Sequence, residues 1–202
     1  SIRGKINDIE VINASYERFV PKEFLTLLQK KSIIDVEIGD NSSLEMSVLF
    51  SDMRNFTMIS ERLSPQQSFK FLNDYLDKMT PAINDNQGFI DKYIGDAIMA
   101  LFPSKPDDAV QAAIEMNKAL KLLNKDKASD QISMGIGIHM GNLVLGTIGK
   151  DTRMETTVIS DTVNSSARLE SLNKVYGTNI LISGGIRHSL SDSFQSQSRL
   201  ID

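Results

Sequence analysis

Two aspartates stand where aspartate is seldom found, each inside a short apolar segment. Asp52 ends the run Val48-Leu49-Phe50-Ser51, and Asp96 divides Tyr93-Ile94-Gly95 from Ala97-Ile98-Met99-Ala100-Leu101-Phe102. Carboxylates are rarely buried without partners. Singly, each reads best as a turn or helix cap. Brought together at one edge of a sheet, they make an oxygen-donor site for hard divalent cations, and two cations so held suit phosphoryl transfer. The turn Met53, Arg54, Asn55, Phe56 and Thr57 can offer backbone N–H groups to a triphosphate, because a strand-to-helix turn points donors at an anion. Lys92 lies just before the Asp96 turn, and Asn164 and Arg168, four residues apart, project from one face of a helix.

The elements that must position these groups follow from pattern. An apolar strand leads into Asp52. Ser64-Pro65-Gln66-Gln67 then supplies a Ser cap, Pro at the first helical position and Gln at the third, after which Phe69, Leu72, Leu76, Met79 and Ile83 mark one face. Phe89 to Tyr93 and Ala97 to Phe102 are two strands about a Gly95-Asp96 turn. Pro106 opens a further helix with Asp107 and Asp108 in its first turn, as the helix dipole prefers. Ile132, Met134, Ile136 and Ile138 alternate as a half-buried strand, and Gly141-Asn142 is expected to turn the chain into Leu143 to Ile148. A helix from Ser160-Asp161 to Tyr176 stops at Gly177, and Ile180 to Ile182 is a last short strand. The Ser- and Gln-rich stretch 189–198 specifies no element. This order predicts an α+β fold with an antiparallel sheet and helices on one face.

The first 31 residues have a helical pattern. Ile2, Ile9 and Tyr16 share one heptad position, Ile12 and Phe19 its partner, and Pro21 begins a new helix with Phe24, Leu25, Leu27 and Leu28. The segment is either a dimerising connector or an amphipathic helix folded onto its own domain. Asp35 to Glu45 is polar and turn-rich, so the domain boundary is placed there, with residues 1–44 as connector and 45–202 as the main domain.

Bulk composition narrows the function. The 202 residues are 41% hydrophobic with a net charge of -4, and the basic residues are scattered, which excludes a nucleic-acid groove. Without cysteine there is neither a disulfide framework nor a thiolate metal site, and two histidines, His139 and His188, do not make a zinc centre. His139 reads as a packed or hydrogen-bonded side chain, and His188 receives no role. No apolar run is long enough to cross a bilayer and no signal-peptide pattern opens the chain, so the cytoplasm is the expected compartment for this domain, whose parent protein can still be membrane-attached. The first residue is Ser, which reads as part of a longer protein.

Four segments together resemble the class III nucleotidyl cyclases. They are Phe50-Ser51-Asp52-Met53-Arg54-Asn55-Phe56-Thr57, Asp91-Lys92-Tyr93-Ile94-Gly95-Asp96-Ala97, Gly135-Ile136-Gly137-Ile138-His139-Met140-Gly141 and Thr162-Val163-Asn164-Ser165-Ser166-Ala167-Arg168-Leu169-Glu170, in family order between about Glu45 and Ile182. Residues Glu17 to Asp40 also look like the transducing segment that precedes the catalytic domain in many bacterial members. The resemblance implies a ferredoxin-like βαββαβ fold and a head-to-tail homodimer with two sites at its interface. It implies Asp52 and Asp96 as ligands of two Mg²⁺ or Mn²⁺ ions, with the partner subunit's Asn164 orienting the ribose and its Arg168 stabilising charge as pyrophosphate leaves. It further implies an upstream sensor or regulatory domain in the parent protein.

Base preference follows from the same resemblance. Lys92 matches the family's purine-reading lysine, and a cation there donates to N1 of adenine but opposes the N1 hydrogen of guanine. The second purine position falls on Thr157, whose hydroxyl accepts from the adenine amino group or donates to a guanine carbonyl. ATP is therefore the expected substrate and cyclic AMP the product. Guanylyl cyclase is the near rival, and a weakly catalytic dimerisation or nucleotide-sensing module the distant one. Without the family pattern, Lys92 is a solvated strand-end lysine and Arg168 a surface arginine. Arg153 matches a position where the family often has arginine. Two departures stand out: Asn55 occupies a place where the family usually has glycine, and the Lys-Gly-Lys strand expected after Asp202 is not in the sequence.

Overall fold

The computed structural model of the chain describes residues 15–16, 19–125, 131–150 and 152–201. In chain order the elements are α1 (Lys22–Leu27), β1 (Asn41–Arg54), α2 (Phe56–Ser60), α3 (Pro65–Asn84), β2 (Phe89–Ile94), β3 (Ala97–Phe102), α4 (Pro106–Asn124), β4 (Ser133–Lys150), β5 (Arg153–Ile159), α5 (Asp161–Tyr176), β6 (Ile180–Ile182), α6 (Gly184–Ser189) and α7 (Asp192–Gln197). The chain divides into a larger unit, residues 44–143 with 160–202, and a smaller one, residues 1–43 with 144–159.

In the larger unit the strands run β2-β3-β1-β4, with β6 parallel on the far edge of β4. β1 and β3 are antiparallel, Leu49 opposite Ala100 and Phe50 opposite Met99. Successive strand residues face opposite sides. Leu49, Met53, Ile98, Ala100, Phe102, Met134, Ile136 and Ile138 therefore share one face and pack with Tyr75, Met79 and Ile83 of α3 and Ala109, Ala113 and Met116 of α4. α3 starts where its capping box predicts: Ser64 Oγ accepts the Gln67 N–H at 3.3 Å, and Gln67 Oε1 accepts the Ser64 N–H at 2.9 Å. Phe69 leaves the predicted apolar face and is 71% exposed, while Tyr75 takes an inward position at 1%.

The helices do not all lie on one face, as the pattern had suggested. Gly135 and Gly137 alternate with the core residues of β4 and so face the other side, where α5 covers them. A Cβ on Gly135 would meet Glu170, and one on Gly137 would meet the backbone of Ser166 and Glu170. α5 is held there by two buried polar side chains. Ser166 Oγ lies 3.0 Å from the carbonyl oxygens of both Val48 and Thr162, and Asn173 Nδ2 donates to the Ile136 carbonyl at 2.9 Å.

Two further expectations fail for physical reasons. β4 is a single 18-residue strand with no turn at Gly141-Asn142. Gly141 is there for close approach, its Cβ position being 2.7 Å from Thr162 Oγ1, and the Asn142 carbonyl accepts from the hydroxyls of Ser160 and Thr162. β1 begins at Asn41, inside the stretch read as turns, with alternating exposed and half-buried residues.

The smaller unit pairs β4 with β5, Gly146 opposite Thr157, and Thr147 exchanges backbone hydrogen bonds with Gly39 and Asp40. Ile2, Ile9 and Ile12 of the predicted heptad seam lie outside the described residues. Tyr16 and Phe19 are 53% and 86% exposed. Pro21 is the N-cap of α1 rather than its first turn, and Gln29, with φ 57, ends the helical run before Lys31.

Candidate active site

β1 delivers Asp52 one residue beyond the core pair Ser51↔Ile98, and the two-residue Gly95-Asp96 turn brings Asp96 beside it. Gly95 takes φ 64, which only a residue free of a Cβ penalty adopts readily. Asp96 Oδ2 accepts the Met53 N–H at 3.2 Å, which fixes the turn against the end of β1. Burial, the charge of Asp96, the charge of Glu170 and a hydrogen bond to Asp96 together push the Asp52 carboxyl up to about 7. Glu170 is raised as well, by burial first, with the Arg54 guanidinium opposing the shift. Below the pair lies Tyr75, whose hydroxyl donates to Met134 Sδ at 3.5 Å and is held above its ordinary range by burial and by the charges of Asp96 and Asp52.

These residues fit a divalent cation. Half-buried carboxylates that repel one another strongly enough to retain a proton near neutrality are relieved when a cation takes the proton's place. Among the described residues no group of three or more His, Cys, Asp and Glu side chains is arranged to hold a metal. A two-carboxylate donor set is what Mg²⁺ commonly uses when substrate phosphates complete its shell.

The turn after Asp52 is more engaged than the sequence suggested. The Met53 N–H is given to Asp96, and the Arg54 guanidinium donates to the Thr178 carbonyl. Asn55 adopts φ 63, ψ 22 and precedes α2, so the residue standing in glycine's usual place does accept a left-handed backbone. Phe56 is anchored by stacking on Phe71, with ring centroids 6.4 Å apart, and Thr57 is exposed.

Lys92 reaches the same sheet face as Asp52 through an irregularity. The β2–β3 register shifts between Ile90, opposite Ala100, and Lys92, opposite Met99. Asp91 is the extra residue. Lys92, Met99 and Phe50 therefore form one row across β2, β3 and β1, and Asp52 lies two residues farther along that face. Strand spacing of about 4.8 Å and a rise of about 3.4 Å per residue separate the Lys92 and Asp52 backbones by roughly 12 Å.

Asn164 and Arg168 do share one helical face, but it is the solvent face. Thr162, Ser166 and Asn173 point inward, and Asn164 and Arg168 are exposed. Arg168 lines a shallow depression of about 530 Å³ with Ala167, Ser171, Leu172 and Val175. Val175 is 74% exposed. A larger apolar cavity of about 680 Å³, between α4, α5, β6 and residues 199–201, contains none of the predicted site residues. Thr157 belongs to the smaller unit, as does the exposed Arg153. His139 is half-buried on β4, and His188 Nδ1 is 2.6 Å from the Gly184 carbonyl.

Residues 39–200 match the family described as the adenylate and guanylate cyclase catalytic domain. The chain belongs to this family. An adenylate cyclase of Anabaena cylindrica is 45% identical over 210 residues, covering 100% of this chain and 42% of that protein. The terminal-differentiation specific adenylate cyclase of Dictyostelium discoideum is 37% identical over 88% of the chain and 8% of its own length. The cyclase domain thus spans less than half of these relatives. Among solved structures, a bacterial light-regulated adenylyl cyclase superposes with a TM-score of 0.82 at 25% identity, over 94% of this chain and 57% of that one. The guanylyl cyclase Cya2 gives 0.66 at 35% identity, over 75% and 81%. The class III cyclase fold read from the four motifs is the fold observed. No helix among the described residues is long and apolar enough to cross a membrane.

Sequence reasoning missed Glu170 and the side chain of Arg54 as members of this cluster. In the sequence Glu170 carries no role beyond closing the fourth motif. Its spacing of four from Ser166 and three from Asn173 is the signal that places it on the inward face of α5.

Proposed function

We propose that this cyclase domain converts ATP to 3′,5′-cyclic AMP and pyrophosphate, at sites shared by two copies arranged head to tail. The observation that carries the reading is the meeting of Asp52 and Asp96 at one end of a sheet face that also bears Lys92.

Asp52 and Asp96 would hold two Mg²⁺ or Mn²⁺ ions, and the chemistry supplied there would be neutralisation of the triphosphate and a lower pKa for the ribose 3′-hydroxyl. The residues of the chain then do positional and electrostatic work, since attack of that oxygen on the α-phosphorus needs alignment more than covalent help. Lys92 donates to N1 of adenine; Thr157, in the smaller unit, is assigned the exocyclic amino group from its motif position alone. Backbone N–H groups of Asn55, Phe56 and Thr57, where the chain turns from β1 into α2, are the proposed donors to the phosphates. Asn164 and Arg168 point away from their own sheet, which supports their use by a second copy: Asn164 to hold the ribose and Arg168 to balance charge on the departing pyrophosphate. A regulatory domain elsewhere in the parent protein would act by changing how two copies meet.

The test is product analysis with ATP or GTP and Mn²⁺ at several protein concentrations. Cyclic AMP that rises faster than linearly with protein and disappears in Asp52→Ala supports the reading. Cyclic GMP as the main product overturns the role given to Lys92, an outcome kept in view by the similarity to Cya2. Nucleotide binding without a cyclic product identifies a sensing module instead.

A further inference from the structure

The irregularity in β2 does more than accommodate one residue. Were β2 regular, Asp91 would stand opposite Met99 and Lys92 opposite Ile98, on the face that packs against α3 and α4. The extra residue moves Lys92 onto the face of Phe50 and Asp52. It also breaks alternation locally, so that Asp91 and Lys92, neighbours in sequence, point to the same side. Asp91 then lies with its side chain 2% exposed and its Oδ2 3.6 Å from Lys92 Nζ, while Lys92 is 32% exposed. Tyr93, next along, returns to the α3 side, where its hydroxyl is 3.2 Å from Thr80 Oγ1.

We infer that Asp91 is a positioning residue for Lys92, setting the direction of its ammonium and thereby the preference for adenine. The inference rests on the proposed role of Lys92 as the base reader. A lysine side chain has four rotatable bonds, and localising it only when nucleotide arrives costs affinity. A buried carboxylate beside the ammonium localises it beforehand, in surroundings of low dielectric where the attraction is stronger than in water. The bulge is the device that lets a residue adjacent in sequence do this.

The experiment measures kcat and KM for ATP and GTP, and ATP Kd by calorimetry, in wild type, Asp91→Asn, Lys92→Ala and the double variant. Asp91→Asn is expected to raise the KM and Kd for ATP roughly tenfold with kcat within about twofold, and to narrow the ATP-to-GTP ratio. In the Lys92→Ala background the same change is expected to have almost no further effect. Asp91→Ser provides a second removal of the carboxylate should the amide misfold. A fall in kcat with KM unchanged, or an undiminished effect in the Lys92→Ala background, overturns the inference. If the wild type forms no cyclic product but ATP Kd still shows the coupling, the proposed reaction fails and the inference stands. If cyclic AMP forms and the coupling is absent, only the inference fails.

Discussion

A Cβ on Gly137 would stand 2.2 Å from the carbonyl oxygen of Ser166, so β4 and α5 meet backbone to backbone. Neither backbone can retreat without disturbing the anchors at Val48 and Ile136. Gly137→Ala is expected to lower stability by about 3 kcal/mol, the upper range for overpacking, measured as a lower urea midpoint. An unchanged midpoint would mean that α5 shifts freely on the sheet.

The carboxylate pair gives the metal-free protein an unusual pH response. The Asp52 carboxyl rises from 3.8 to about 7 on folding, so the folded chain binds the proton more tightly than the unfolded one. This contribution is present below about pH 4 and is lost as pH rises through about 7. Glu170 shifts in the same direction, whereas Asp40 and Glu115 are held below their ordinary range and act oppositely in acid. With chelator present, the difference in Tm between Asp52→Asn and wild type should grow from pH 4 to pH 8 in favour of the variant. Mn²⁺ should close the gap by stabilising wild type alone.

Asn55 offers a cleaner backbone test. Its φ of 63 costs an ordinary residue about 1 kcal/mol. Asn55→Ala is expected to lose about that much stability, and Asn55→Gly to stay within about half of it. Equal losses in both variants would assign the Asn55 side chain a contact of its own.

Asn164 and Arg168 face outward while Asp52 and Asp96 lie at the end of the sheet, which makes a complementation experiment decisive. Asp52→Ala and Arg168→Ala should each be nearly inactive alone. If copies pair head to tail as proposed, mixing in equal amounts gives dimers of which half are hybrid, each with one intact site, so roughly a quarter of wild-type activity should return. No recovery on mixing would place all the catalytic groups within one copy.

Much of this was legible in the chain, because the strongest signals are local. The capping box at Ser64 and Gln67, the Gly95-Asp96 turn and the Gly177 stop of α5 depend on residues within a few positions of one another. What stayed hidden depended on partners distant in sequence. Gly141 reads as a turn until Thr162 is seen against it, and Asn173 reads as a polar helix residue until its amide is seen on the Ile136 carbonyl. The inward face of α5 is polar, Thr162, Ser166, Glu170 and Asn173, so hydrophobic periodicity could not reveal which side is buried. Alternation in β2 misleads for a similar reason. Counting by twos from Phe89 puts Asp91 and Tyr93 on its face, whereas the pairing puts Lys92 there.

That miscount bears on how this strand can change length. Losing Asp91 would restore regular pairing with Lys92 still opposite Met99, whereas losing a residue between Lys92 and the Gly95-Asp96 turn would change the spacing between Lys92 and Asp96. Gaps in β2 are therefore not equivalent. A related sequence shorter by one residue before its lysine keeps the architecture of the site, and one shorter by one residue after it does not, even though an alignment would score the two alike.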